Sequence, residues 1–339
     1  MAQNKKNILI LNTGGTISSS KTEQGYQPML NGVKNVLREI SILSHHEMPN
    51  YEIYEYQSLI DSSNITLAHW NQIAADIEKY YTDYDGFVIF HGTDTMAYTA
   101  SALSFMLENL KKPVILTGSQ IPLTEVRNDA IDNVMTSLWL AGHESLQEVC
   151  IYFNQHLLRG NRAQKVSSTA FRAFDSPNFP HLATVGVDID LKRNLLLTRG
   201  TSDFHVQRLT PHYIANFRLF PGLNVDILDA LLQQPLDALV LETYGTGNAP
   251  SDDINFLKVL QEAAAKGVLI VNSSQCRHGC VVMGQYETGY TLERVGLMSA
   301  HDMTSEVVHC KLLYLLSKYK SKRKIKEQFE MNLVGELTA

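Results

Sequence analysis

With 339 residues, 44% of them apolar and 19% charged, the chain has a normal globular balance and enough length for two cores, which excludes a disordered class. Its 29 Lys and Arg stand against 35 Asp and Glu, a net charge of -6 that excludes a dedicated nucleic-acid binder with a basic face. No apolar run approaches the roughly 20 residues of a membrane span, and "MAQNKKN" leads into only a short apolar stretch, so neither membrane nor secretion is expected and a cytoplasmic location is.

In chain order, the first strands are "NILILN" (7–12), "YEIYEY" (51–56), "GFVIFH" (86–91), "KPVILT" (112–117) and "EVCIYF" (148–153). They alternate with helical patterns, which predicts βαβ units and a largely parallel sheet. Leu103, Met106, Leu107 and Leu110 recur at i, i+3, i+4 and i+7, the spacing of a helix with one buried stripe. Residues 18–28, "SSSKTEQGYQP", are polar and contain Gly25, so they read as a lid loop.

After residue 183 the pattern changes to extended or hairpin structure and then, from about 190, to a linker. A second set follows with "IANFRLF" (214–220), "DALVLETYG" (237–245) and "GVLIVNSSQC" (267–276), closed by helices over 304–318 and 322–331. The predicted fold is α/β: a larger N-terminal domain, 1–205, with a mostly parallel sheet flanked by helices, and a smaller α/β domain, 206–339. The basic run Lys318, Lys320, Lys322, Arg323, Lys324 and Lys326 reads as a solvated helical face. The four cysteines, Cys150, Cys276, Cys280 and Cys310, fit reduced thiols. "CRHGC" lacks metal-ligand spacing and a second ligand pair, so no metal or other cofactor is expected.

Ligands of open α/β sheets bind outside the carboxyl ends of the strands. Three hydroxyl-rich glycine turns fall there: Thr13-Gly14-Gly15-Thr16, His91-Gly92-Thr93-Asp94-Thr95 and Thr117-Gly118-Ser119-Gln120. Together they predict a pocket for a small polar ligand. A phosphate site is opposed by the missing GxxxxGK[ST] and GxGxxG patterns and by the charge of Asp94. Lys165, in "RGNRAQKVSS", reads as a solvated loop lysine, or as a base or proton relay if buried beside Thr93 and Asp94.

"TGGTI", "HGTDTMAYTA", "PVILTGSQIPL", "RGNRAQK", "YGTGNAP" and "MNLVGELT" resemble the bacterial-type L-asparaginases, and among these the cytoplasmic type I branch, over essentially the whole chain. The resemblance implies hydrolysis of L-asparagine to L-aspartate and ammonia through an acyl-enzyme on Thr16, with Tyr26 as the base on a mobile segment. It implies a Thr93–Lys165–Asp94 relay, with a partly buried Asp94 also receiving the substrate ammonium. Ser62 and Ser63 would hold the α-carboxylate, backbone amides around Gly92 and Thr93 the developing oxyanion, and Ser119 the amide.

It implies self-association as a dimer or tetramer, with Asn248 of "YGTGNAP" near a neighbour's site. Glutamine is a side substrate to test, because the sequence does not set that ratio. Some relatives carry an allosteric asparagine site. Cys276 is present here, but Glu242 stands where an arginine is expected and Gln164 precedes Lys165, so that site is expected to be absent or altered. Two other readings are the amidase subunit of a tRNA-dependent amidotransferase, which usually carries an extra N-terminal domain, and a non-catalytic amino-acid-binding regulator.

Overall fold

Ile8, Ile10 and Leu11 have no solvent exposure, as expected of a strand covered on both faces. In a computed structural model, which describes residues 5–23, 25–198, 200–284 and 287–338, this segment is β1 (Asn7–Gly14). It lies between β4 (Asn50–Ile60) and β5 (Gly86–Phe90), parallel to both. A hairpin of β2 (Ser19–Thr22) and β3 (Gly25–Pro28) stands between β1 and β4 in the chain. Residues 19–22 and 25–28 therefore pair as a hairpin where a loop was expected from their polarity, and Gly25 (φ 98°) starts its second strand.

Beyond β5 the sheet continues with β7 (Val114–Thr117) and β8 (Val149–Phe153), still parallel, then antiparallel through β9 (His156–Arg159), β12 (Ala183–Val185) and β13 (Ile189–Leu191). A mostly parallel sheet is what the sequence predicts; the three antiparallel strands at its edge bring it to eight. A short β6 (Leu107–Glu108) pairs with β14 (His205–Val206), and β10 (Gln164–Lys165) pairs with β11 (Phe174–Asp175).

The helices α1 (Gly32–Glu39), α2 (Leu67–Tyr80), α3 (Met96–Met106) and α4 (Ala130–His143) connect these strands. α3 departs from the expected single stripe. Every residue in it except Tyr98 is buried, because it packs on α2 and β8 and on the turn at 160–162, and its Ala and Ser residues permit the close approach. It also stops at Met106. Asn109 takes a left-handed φ of 56°, so Leu107 enters β6 and Leu110 is buried outside the helix.

The chain divides into two compact units, residues 1–176 with 180–207, and residues 177–179 with 208–339. The second has a wholly parallel sheet in the order β15 (Ile214–Arg218), β16 (Ala238–Thr243), β17 (Leu269–Ser274), β18 (Met298–Ser299). Leu239, Leu241 and Ile270 of this sheet pack with Leu228 of α5 (Val225–Leu232), Phe256 and Leu260 of α6 (Ile254–Ala265) and Leu292 of α7 (Glu287–Val295). α8 (Ser305–Lys318) lies against β15 and β16, and α9 (Lys322–Phe329) against α8.

The basic run is not simply solvated. Lys322 donates to Gly267 O and Lys326 to Gly296 O, the carbonyls just past the ends of α6 and α7. Both ammonium groups sit at the negative ends of those helices. No helix among the described residues is long and apolar enough to cross a membrane.

Candidate active site

The turns that leave β1, β4, β5 and β7 meet at the carboxyl edge of the large sheet, and glycine lets them touch. A Cβ on Gly15 (φ 85°) would lie 2.3 Å from Gly92 N, and one on Gly92 would lie 2.5 Å from Ser62 Oγ. Any side chain at either position would force the turns apart. Thr95 Oγ1 donates to Ser62 O at 2.7 Å, tying the turn after β5 to the one after β4.

The two threonines of the first turn have different environments. Thr13 is fully buried and its hydroxyl donates to Phe90 O at 2.7 Å, bracing β1 against β5. Thr16 is half-buried at the start of the 3₁₀ turn Thr16–Ser18, and no described residue hydrogen-bonds its hydroxyl. Only the second has a hydroxyl left for chemistry.

Lys165 reaches the same edge from β10. Its Nζ lies 2.8 Å from Thr93 Oγ1 and 2.6 Å from Asp94 Oδ1. The ammonium donates to both, so Thr93 keeps its own proton for another acceptor; Gln120 Oε1 stands 3.5 Å away. Lys165 is only 19% exposed, which favours the relay position over the solvated loop. Asp94 is 64% exposed, in contrast to the partly buried carboxylate expected. It lies in the turn ahead of α3, and Lys165 is its ion-pair partner among the described residues.

Ser119 is buried, and its Oγ has no hydrogen-bond partner in the described structure. Its hydroxyl can therefore meet a ligand polar atom without breaking a bond already made within the described structure. Ser62 is buried beside Gly92, and Ser63 is exposed with its N–H already taken by Asp61 Oδ1 at 3.0 Å. Tyr26, on β3 opposite Lys21, is 53% exposed and makes no described side-chain contact.

A cavity of about 420 Å³ opens beside Gln120, lined by Ile121, Arg127, Ser168, Thr169 and Phe171. A larger one, about 730 Å³, belongs to the second unit and holds none of the predicted site residues. Size alone would have pointed away from the polar turns.

Residues 7–197 match the family described as "Asparaginase, N-terminal", and residues 214–329 match "Glutaminase/Asparaginase C-terminal domain". The chain belongs to the asparaginase family. It is 46% identical to L-asparaginase 1 of Escherichia coli (strain K12) over 334 residues, 98% of each chain. The crystal structure of L-asparaginase I from Vibrio cholerae aligns with a TM-score of 0.93 and 42% identity, over 99% of this chain and 100% of that one. The thermostable L-asparaginase from Thermococcus kodakarensis aligns at 0.87 and 33%, over 98% and 99%.

Several residues shaping this asparaginase-family site were not singled out by the sequence. Asp129 takes the backbone N–H of Gln120 and of Ile121, and Asn133 donates to Gly118 O, so α4 holds the turn that carries Ser119. Asn12 bridges Ser18 and Glu55, and His91 contacts Gly92 O and Thr99. Polarity at the ends of strands and at the start of α4 is the signal they carry in the sequence, and it does not name a partner.

Proposed function

We propose that this member of the asparaginase family hydrolyses L-asparagine to L-aspartate and ammonia through an ester on Thr16. The observation that carries the reading is the contact of Lys165 Nζ with both Thr93 and Asp94, next to a turn whose Gly15 rests on Gly92. It brings two hydroxyls, an amine and a carboxylate to one edge from distant parts of the chain.

Thr16 Oγ attacks the side-chain amide carbon and its proton passes to a base, for which Tyr26 is the candidate. The oxyanion forms against the Thr93 N–H, the amide nitrogen takes a proton and leaves as ammonia, and the aspartyl group stays on Thr16. Water then attacks the ester carbon and the bond to Thr16 Oγ breaks, one water proton reaching that departing oxygen through the Thr93 hydroxyl, which Lys165 holds in line with Asp94. Tyr26 serves only if the β2–β3 hairpin closes, since its ring now stands in solvent.

Asp94 receives the substrate ammonium, a charge-assisted bond that its exposed oxygens can make. The hydroxyls of Ser62 and Ser63 hold the α-carboxylate; the Ser63 amide is already occupied. Ser119 Oγ meets the side-chain amide and ends its own orphaned state. The exposure of Asp94 in one chain supports cover from a second copy, and so self-association in a cytoplasmic enzyme.

Glu242 does not present the bare carboxylate expected at an effector position. Arg218 lies 3.5 Å from it and Ser305 Oγ donates to it at 2.8 Å. Repulsion is therefore weaker than the sequence suggests, and the proposed lack of an asparagine effector response rests on the missing arginine alone.

An ammonia-release assay comparing L-asparagine with L-glutamine tests the reading. Turnover of asparagine with hyperbolic kinetics supports it; no ammonia from either amide overturns it, and a sigmoidal curve overturns the effector proposal.

A further inference from the structure

His91 opens the turn bearing Thr93 and Asp94, yet it contacts neither. Its ring is buried, with Nδ1 2.7 Å from Gly92 O and Nε2 2.9 Å from Thr99 Oγ1. The Thr99 hydroxyl in turn accepts the Trp70 indole N–H at 2.9 Å.

This chain of contacts dictates one protonation pattern. A carbonyl only accepts, so Nδ1 carries a proton. Thr99 has a single proton, and with the indole N–H already donated to its oxygen it gives that proton to Nε2. Burial pushes the ring's pKa down to about 4, against the opposing pull of the Gly92 carbonyl, so the imidazole is neutral at pH 7.

Gly92 O and the Thr93 N–H belong to one trans peptide, so they point in opposite directions. Glycine leaves that peptide free to rotate on one side, and the imidazole removes the freedom. Thr93 is buried, and no described residue accepts its N–H. That donor is available to a ligand.

We infer that His91 is a positioning residue: its Nδ1–H clamps the Gly92 carbonyl and so aims the Thr93 N–H at the developing oxyanion, while Thr99 and Trp70 hold the ring in the required tautomer. The inference rests on the proposed oxyanion role of the Thr93 amide and adds the device that sets it.

Three variants separate positioning from bulk support. His91→Asn places an amide N–H near the position of Nδ1, whereas His91→Gln reaches toward Thr99 and loses the clamp. With L-asparagine, His91→Gln is expected to lose about 100-fold in kcat with KM within about 3-fold, the scale of one misplaced oxyanion donor. His91→Asn should stay within about 10-fold of the parent. Equal losses in both, or a parental kcat in His91→Gln, overturn the inference.

If neither variant folds, Thr99→Val keeps the imidazole and removes the group that fixes its proton. It should lower kcat about 10-fold and mix the tautomers. An unchanged tautomer with unchanged kcat overturns the inference. Imidazole ¹⁵N NMR of the parent protein at pH 7 reads the ring directly: a proton on Nδ1 alone is expected, and a proton on Nε2 or on both nitrogens overturns it. That spectrum does not depend on which threonine is the nucleophile, so it can fail while the proposed reaction stands, and the reaction can fail while the tautomer stands.

Discussion

Lys311–Glu336 in the second unit and Lys165–Asp94 in the first are ion pairs of nearly equal length, 2.5 and 2.6 Å, in opposite surroundings. Lys311 and Glu336 are both fully enclosed. Lys311 Nζ also donates to Met331 O at 2.6 Å, and Glu336 accepts the N–H of Leu333 and of Val334. Burial pushes the Lys311 ammonium below its ordinary pKa, against the pull of Glu336. This closed network ties the final "MNLVGEL" segment to α8, with its charges and hydrogen-bonding atoms engaged inside the protein. Lys165 instead divides its protons between a carboxylate and a hydroxyl, and Asp94 remains open to water. A satisfied pair supports a fold; a pair with unused capacity can bind and move protons.

The contrast predicts separable losses. Lys165→Met should lower kcat about 10³-fold, because the proposed relay loses the amine that joins Thr93 to Asp94, while the thermal midpoint moves by no more than a few degrees because Asp94 stays hydrated. Steady-state ammonia release and a melting curve on the same preparation check both halves. Lys311→Met should do the reverse. Leaving Glu336 charged and unpaired in the core should cost about 3–5 kcal/mol in urea unfolding, with kcat per folded molecule unchanged. Removing both partners, Lys311→Met with Glu336→Leu, should recover most of that loss, since breaking a buried pair is worse than deleting it. A double variant as unstable as the single one would mean that Glu336 acts mainly through its bonds to Leu333 and Val334.

His91 lends a pH term to the same comparison. Its folded pKa of about 4 lies below the ordinary 6.5, so the neutral ring is favoured by folding. The contribution is present above pH 6.5 and is lost as pH falls toward 4, about 3 kcal/mol over that window. Urea midpoints of the parent and His91→Asn, measured across this range, should converge on acidification. A constant gap would contradict it.

The smallest effect expected is at Ser119. Ser119→Ala removes an orphaned hydroxyl, so it should leave stability unchanged or slightly raised while weakening asparagine turnover about 10-fold, which KM and kcat measurements check.

The parallel strands were legible because most of them are short apolar runs between turn signals; their order in the sheet was not. The candidate site was legible at the level of its turns because hydroxyls and glycines cluster at three strand ends. What escaped was set by tertiary packing. α3 carries apolar and small residues all round, so its periodicity told little, and Asn109 ended the helix where a leucine spacing ran on. Asp94 was expected to be partly buried but lies open. The hairpin of residues 18–28 is polar on both faces, and polarity without alternation does not announce a strand. Sequence could not separate Thr13 from Thr16 by environment; the bond from Thr13 to Phe90 O does.

The free hydroxyl of Thr16, and not that of Thr93, is proposed to carry the acyl group. Rapid acid quench of the enzyme with L-asparagine, followed by peptide mass spectrometry, tests it most directly. An aspartyl ester on the peptide containing Thr16, absent in Thr16→Ala, is the expected product; an ester on Thr93, or one that persists in Thr16→Ala, would rule out Thr16 as the nucleophile.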